Sequence, residues 1–397
     1  MDRRCVQPRL TVSHPNILII SEVPMGAPNG FGVTLKNLFT GWPRERIRYF
    51  YNRAQYRDLP KEGLDFRFAP VPSSPGRRYA LPMWLGLTPE WRGNYSGIWL
   101  RRNLRGFAPD LVFSSVHSLT TISFADWVAQ QLGQPHVLHV MDEPFFHAEP
   151  ALVDAMLQRV RSFFTISETM RRAYYERYGR DSQVFHNGAE PEFFHPPARL
   201  TSDSERPVRL RFIGNLLHLQ HFQSIEDIAA AVQQHNRGGG RPAVLEIYGG
   251  EHPEGCCREI LADGEITYHG RIDLDERLNT IAGADLLVIP FTFDKEYFQE
   301  YRLSIPTKLP ENLATGKPVL LYGPKGMAAT DLCLKHDLAT VLTERSVPSL
   351  VKFLREFTDN SEPYLNKAAG AQHFAKRELS AKATSLRFQN MLHRIAA

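Results

Sequence analysis

The stretch Ser304-Ile-Pro-Thr-Lys-Leu-Pro-Glu-Asn-Leu-Ala-Thr-Gly-Lys-Pro-Val319 decides how the rest of the chain is read. Pro306 suits the first turn of a helix, where its missing N–H is not needed, and a helix is predicted over 306–315. Gly316 followed by Lys-Pro is a C′ stop, and the next strand, 317–323 (KPVLLYG), begins at once. Upstream lies the continuous apolar run 284–291 (ADLLVIPF). Two apolar strands with a helix between them form a parallel unit covered on both faces. The helix N-terminus then opens at the carboxyl end of a strand, the edge where open α/β sheets bind ligands.

The residues of that segment suit a nucleoside diphosphate. Unsatisfied N–H groups and the positive end of a helix dipole make an anion site. Lys308, in the first turn, adds a point charge for a phosphate. Glu311, one turn on and on the same face, can accept hydrogen bonds from the vicinal hydroxyls of a ribose. The competing reading is a surface i,i+3 ion pair worth a few tenths of a kcal/mol. Position at the carboxyl end of a strand favours the ligand.

The same alternation runs along most of the 397 residues. Strands are predicted at 16–22, 47–52, 66–71, 110–115, 136–142, 162–167 and 182–186. After residue 207 they recur at 208–214, 243–249, 266–270, 284–291, 317–323 and 339–342. Helices are predicted between them, at 32–40, 91–104, 119–132, 150–160 and 168–178. In the second half they fall at 223–236, 255–262, 273–282, 306–315, 327–335 and 347–358, with two more over 362–395. Residues 194–207 (FHPPARLTSDSERP) are polar and proline-containing, a linker after which the pattern restarts. The expected organisation is α/β. A first Rossmann-like domain spans 1–193, the linker 194–207, a second such domain 208–375, and a C-terminal helix 376–397.

Composition narrows the class without naming an activity. Hydrophobic residues are 43% and charged residues 23%, ordinary for a globular protein, and a net charge of +4 argues against a dedicated nucleic-acid binder. The charge is uneven: residues 1–200 carry 24 Lys+Arg against 18 Asp+Glu, a basic half suited to an anionic partner. Four cysteines, two of them adjacent at Cys256-Cys257, give neither a disulfide framework nor zinc spacing and fit a reducing compartment. No run is long enough for a signal peptide or a spanning helix, so a cytoplasmic location is expected. His139, Asp142, Glu143, His147 and Glu149 have the composition of metal ligands. Their spacing does not suit a site, and no metal is expected. His117 and Asp142 fall at the carboxyl ends of strands 110–115 and 136–142, so both are placed at the ligand-binding edge of the first sheet as candidate catalytic residues.

Further segments fall in a recognisable order. They are Gly30-Phe31-Gly32 in a loop after the first strand, Pro109-Asp-Leu-Val-Phe-Ser-Ser115, Pro135-His-Val-Leu-His-Val-Met-Asp142 and Phe164-Thr-Ile-Ser-Glu168. Then come His186-Asn-Gly188 with Phe193-Phe194-His-Pro, Phe212-Ile-Gly214, Ile247-Tyr-Gly249, Tyr268-His-Gly-Arg271, the 284–290 strand and the Ser304–Val319 segment. In this order the chain resembles the GT-B fold glycosyltransferases, in particular the retaining glycosyltransferase family 4 (group 1).

That resemblance implies two Rossmann-like doubly wound domains facing a cleft, with a nucleotide-sugar donor held by the second and the acceptor by the first. It implies a retaining reaction without a metal or other cofactor, and a last helix that crosses back to the first domain. The donor-site residues are Gly30, Phe31, Gly32, Gly214, Asn215, His218, Gly270, Arg271, Arg302, Ser304, Ile305, Pro306, Thr307, Lys308 and Glu311. Gly270 and Arg271 line the base pocket, and the amides of Gly30–Gly32 approach the phosphates. Asn187-Gly188 is read as a turn at the domain end.

Two positions depart from the family pattern. Leu303 stands where many members carry a second acid, eight residues before Glu311. After Gly214 the segment Asn215-Leu-Leu-His218-Leu-Gln-His221 lacks the usual Arg and Lys; His218, His221 or Arg302 are the local substitutes.

The expected partners are a nucleotide sugar, UDP-linked by preference, and a glycan or lipid-linked acceptor. The aromatic and basic residues of the first half, including 72–92 (PSSPGRRYALPMWLGLTPEWR), suit an acceptor loop or peripheral contact with an anionic membrane. The alternatives are a nucleotide-binding scaffold without catalysis and a sugar-nucleotide 2-epimerase.

Overall fold

The computed structural model describes residues 14–27, 29–51, 97, 100–115, 119–143, 150–194, 206–214, 218–249 and 266–397. The strand predicted at 66–71, the helix at 255–262, most of that at 91–104, the 72–92 loop and Cys256-Cys257 lie outside these residues.

Two six-stranded parallel sheets are built in succession. The first contains β1 (Ile17–Ser21), β2 (Ile47–Tyr51), β3 (Leu111–Ser115), β4 (His136–Val140), β5 (Ser162–Thr165) and β6 (Gln183–Val184), in the order β2-β1-β3-β4-β5-β6. β1, β3 and β4 are buried at every residue, which is why they read as unbroken apolar runs. Helices α1 (Gly30–Leu38), α2 (Leu119–Leu132), α3 (Pro150–Arg159) and α4 (Glu168–Tyr178) connect these strands.

The second sheet contains β7 (Val208–Ile213), β8 (Ala243–Tyr248), β9 (Ile266–Gly270), β10 (Leu286–Pro290), β11 (Val319–Tyr322) and β12 (Thr340–Leu342), in the order β12-β11-β10-β7-β8-β9. Counted from β7, this is the 3-2-1-4-5-6 order of dinucleotide-binding sheets, with its reversal between β7 and β10. Its helices are α5 (His218–Arg237), α6 (Leu274–Ala282), α7 (Lys295–Tyr301), α8 (Lys308–Ala314), α9 (Ala328–His336) and α10 (Val347–Asp359). They are followed by α11 (Glu362–Glu378) and α12 (Ala381–Ala396).

Two local expectations change. The helix predicted from Pro306 begins at Lys308, with Thr307 at its N-cap, because Leu309 N–H closes a turn on the Pro306 carbonyl at 3.0 Å. Helix α7 was not predicted. It buries none of its residues, so it leaves no apolar period, and Asp294 starts it by accepting from the Glu296 and Tyr297 amides.

The chain end returns to the first sheet. Phe388 of α12 is fully buried among Phe39, Phe113, Phe164 and Phe185, with ring centroids 5.3–5.9 Å apart. Burial of such a ring contributes about 2–3 kcal/mol. Just before the linker, Ala189 pairs with Ser380 in a parallel bridge, and Gly188 lets the backbone of Ala381 approach to where a Cβ would stand 2.5 Å away. Among the described residues no helix is long and apolar enough to cross a membrane.

Candidate active site

The cleft face of the second sheet is organised at the β7/β10 reversal. β7 runs directly into Gly214, whose N–H bonds to the Tyr248 carbonyl at 2.7 Å and whose φ is +151°. The chain that leaves β10 passes through α7 and returns as Leu303–Thr307 into α8. There Lys308 extends back over Gly214, with its ammonium 4.9 Å from the centre of the Phe212 ring. Among the described residues no carboxylate lies within ion-pair distance of that ammonium. Desolvation, together with Arg277 nearby, lowers its pKa to about 8, against a pull upwards from Glu311.

Glu311 lies one turn further and is buried. Arg277 of α6 donates a hydrogen bond to its Oε2. Burial pushes the Glu311 carboxyl up to about 7, in spite of the two cations beside it. Helix α8 has only seven residues, so the positive charge of this corner comes chiefly from Lys308 and Arg277 and little from a dipole.

The segment before α8 is held by the first half of the chain at almost every residue. Ser167 Oγ donates to the Leu303 carbonyl at 2.6 Å, and Ser304 Oγ donates to Asp142 Oδ1 at 2.8 Å. Asn187 Nδ2 donates to the Ile305 carbonyl at 3.1 Å, while its Oδ1 accepts from Thr34 of α1 at 2.6 Å. Thr307 packs against Gly30, where a Cβ would stand 3.0 Å from the threonine methyl. Leu303 is 3% exposed and belongs to the apolar core of the first half. It therefore anchors the segment across the cleft, which an acid at that position would not do.

The predicted residues are thus distributed as follows. Gly214, Ser304, Ile305, Pro306, Thr307, Lys308 and Glu311 surround one corner, with Asp142 reaching it through Ser304 and Gly30 facing it across the cleft. Gly30-Phe31-Gly32, expected in a loop, forms the first turn of α1 instead. Asn29 caps that helix by accepting from the Gly32 amide at 2.9 Å, and Phe31 is buried in the core. Gly270 ends β9, and Arg271 lines a cavity of about 550 Å³ beside the stacked rings of Tyr248 and His269, 4.3 Å apart. Arg302 does not join the Lys308 corner: it donates to Gln299 at 3.0 Å and lines a separate cavity of about 480 Å³ with Arg172, Arg177 and Tyr174. His221 lies over Phe212, and burial with Lys308 nearby lowers its pKa to about 3, so it is neutral and supplies no charge. His117, Asn215, His147, Glu149 and the His218 side chain lie outside the described residues.

Other polar groups belong to the packing. His139 is fully enclosed, and burial lowers its pKa to about 3. Ser114 Oγ meets His136 Nε2 at 2.7 Å with Asp126 3.9 Å beyond, but Ser114 and His136 are shut away inside the first half. Sequence reasoning passed over Arg277, Ser167 and Thr34, and read Asn187 only as a turn. Each acts through a contact distant in sequence, so no local pattern marks it.

No family model matches the chain, and no curated protein matches it. Solved structures do. HepE of Anabaena in complex with UDP has a TM-score of 0.68 with this chain, at 14% identity, covering 96% of this chain and 100% of that one. The chain has the GT-B fold. A glycosyltransferase from Rickettsia africae gives a TM-score of 0.67 at 12% identity, covering 96% and 97%. Sucrose-phosphate synthase from Thermosynechococcus elongatus gives 0.65 at 14% identity, covering 96% and 99%. The GT-B arrangement accounts for both sheets, the facing edges and the helix that returns to the first half.

Proposed function

We propose that this protein is a glycosyltransferase that moves a sugar from a nucleotide-diphosphate donor, UDP-linked by preference, to a hydroxyl of a glycan or lipid-linked acceptor. The observation that carries the reading is the pairing of Lys308 over Gly214 with buried Glu311 at the reversal of the second sheet. One point charge without an ion-pair partner among the described residues suits a diphosphate, and a carboxylate one turn away suits a ribose. HepE, which has the same fold, is solved in complex with UDP and glucose, and this supports a nucleotide-sugar reading.

In this reading Lys308 stabilises charge that develops on the diphosphate as the bond from the sugar to its phosphate oxygen breaks. Glu311 fixes the ribose, and Gly270 and Arg271 border the base. The acceptor oxygen bonds to the anomeric carbon on the face the diphosphate leaves, and its proton passes to the departing phosphate oxygen. Asp142 and His117 orient that hydroxyl. Retention and independence of metal are part of the proposal.

The test is to incubate the protein with UDP-, GDP-, ADP- and TDP-sugars and mixed glycan acceptors, and to follow nucleotide release and the anomeric proton signal of the product. Acceptor-dependent release from one nucleotide class, with an unchanged anomeric configuration, is expected. Epimerised donor without acceptor would replace this reading with a sugar-nucleotide 2-epimerase. A second reading rests on Leu303, which is enclosed in the first half and leaves no acid at that position. If nucleotide binds and no donor is consumed, the protein is a nucleotide-binding scaffold.

A further inference from the structure

Glu311 is 6% exposed, so the use of its carboxylate depends on what holds it. Arg277 approaches from α6 and donates to Oε2; Oε1 accepts no hydrogen bond among the described residues. The guanidinium of Arg277 is itself braced, with its carbon 5.6 Å from the centre of the Phe193 ring. Phe193 is 6% exposed and set in the core of the second half beside Leu309 and Leu313 of α8. Phe193 comes from the 3-10 turn Pro191–Phe193, so the chain just ahead of the linker braces a side chain of α6 against α8.

The other charges facing Glu311 are Lys308 on its own helix and Glu190 next to the same turn. Glu190 is taken by Lys36 of α1 at 2.9 Å. Arg277 is therefore the direct partner of the Glu311 carboxylate, and Lys308 is left to meet an anion.

We propose that Arg277, braced on Phe193, is a positioning residue for the donor ribose: it takes Oε2 of Glu311 and leaves Oε1 to accept the ribose hydroxyls of a nucleoside diphosphate. The inference rests on the reading of Glu311 as the ribose acceptor. Burial, with a smaller push from Glu190, drives the Glu311 carboxyl upwards, and Arg277 is foremost among the groups that oppose this. Its loss therefore favours the protonated acid, which accepts hydrogen bonds less well.

The experiment compares wild type, Arg277→Ala and Arg277→Lys by calorimetric titration with UDP and with 2′-deoxy-UDP. Carbon-13 NMR of glutamate-labelled protein follows the Glu311 carboxyl, assigned with Glu311→Gln. In the wild type UDP binds more tightly than its deoxy analogue. Arg277→Ala is expected to weaken UDP about tenfold, to collapse the difference between the two nucleotides, and to move the Glu311 midpoint up by about one unit. Arg277→Lys should restore part of each effect.

An unchanged ratio of the two affinities with an unchanged midpoint would overturn the inference. So would tighter UDP binding by Arg277→Ala, which would make Arg277 a competitor of the ribose. A wild type that binds neither nucleotide would instead remove the reading of the site itself.

Discussion

The ammonium of Lys308 occupies the space that a side chain on Gly214 would need, lying 1.6 Å from the position of an added Cβ. At φ +151°, Gly214 also holds a backbone conformation that other residues rarely adopt. The glycine that follows β7 thus determines where the site's cation stands, although the two residues are far apart in sequence. Gly214→Ala should displace Lys308 and weaken UDP binding about tenfold or more, with about 1–3 kcal/mol of stability lost to backbone strain. Lys308→Ala should weaken binding to a similar extent. The double variant should add little to either, and a double-mutant cycle by calorimetry checks this.

The depressed pKa of Lys308, about 8, sets a pH dependence with a definite sign. The ammonium is charged below that value, the form that the proposed diphosphate site requires; above it, binding must first restore the proton. A bound anion raises the pKa of Lys308, so the complex takes up a proton in the window above about pH 8. UDP affinity should fall as pH rises through that window, by up to about tenfold per unit. Titration in buffers of different ionisation enthalpy measures the proton uptake, and Lys308→Arg should flatten the limb whatever its own affinity.

Leu303 gives a test of the anchored cleft. Its side chain is enclosed in the core of the first half, and its carbonyl is held by Ser167. Leu303→Ala should cost about 2–5 kcal/mol in denaturant unfolding. Leu303→Glu should cost more, because an unpaired carboxylate would be forced into an apolar core. A Leu303→Glu protein as stable as wild type, with tighter donor binding, would show that this side chain faces the ligand.

Asn187 offers a separate test of how the first half positions the Leu303–Thr307 segment. It links Thr34 of α1 to the Ile305 carbonyl, and loss of a buried bridge of this kind costs about 1–3 kcal/mol. Asn187→Ala should lower stability by that amount and also weaken UDP binding, because Ile305 lies two residues before the Thr307 cap. Thr34→Val, which leaves the amide its bond to Ile305, should lower stability with a smaller effect on binding.

Much of this architecture was legible in the residue order because parallel strands buried on both faces leave unbroken apolar runs. β1, β3, β4 and β10 are buried at every position, and all four were readable as strands. Strand order was less legible, because parallel partners are joined by long crossovers; the place of β10 beside β7 follows from no local signal. Lys308 and Glu311 could be found because they share one short helix. Arg277 could not, since its contact with Glu311 requires α6 and α8 to be packed together around Phe193. Gly30-Phe31-Gly32 read as a loop because glycine is a poor helix former; the Asn29 cap makes that segment the start of α1.

The most direct test of the central claim is calorimetric titration of UDP into wild type, Lys308→Ala and Glu311→Ala, with GDP, ADP and TDP as comparisons. One UDP per chain is expected for the wild type, with a loss of at least about tenfold in affinity on either substitution. No binding of any of the four nucleotides, or binding that neither substitution changes, would contradict that claim.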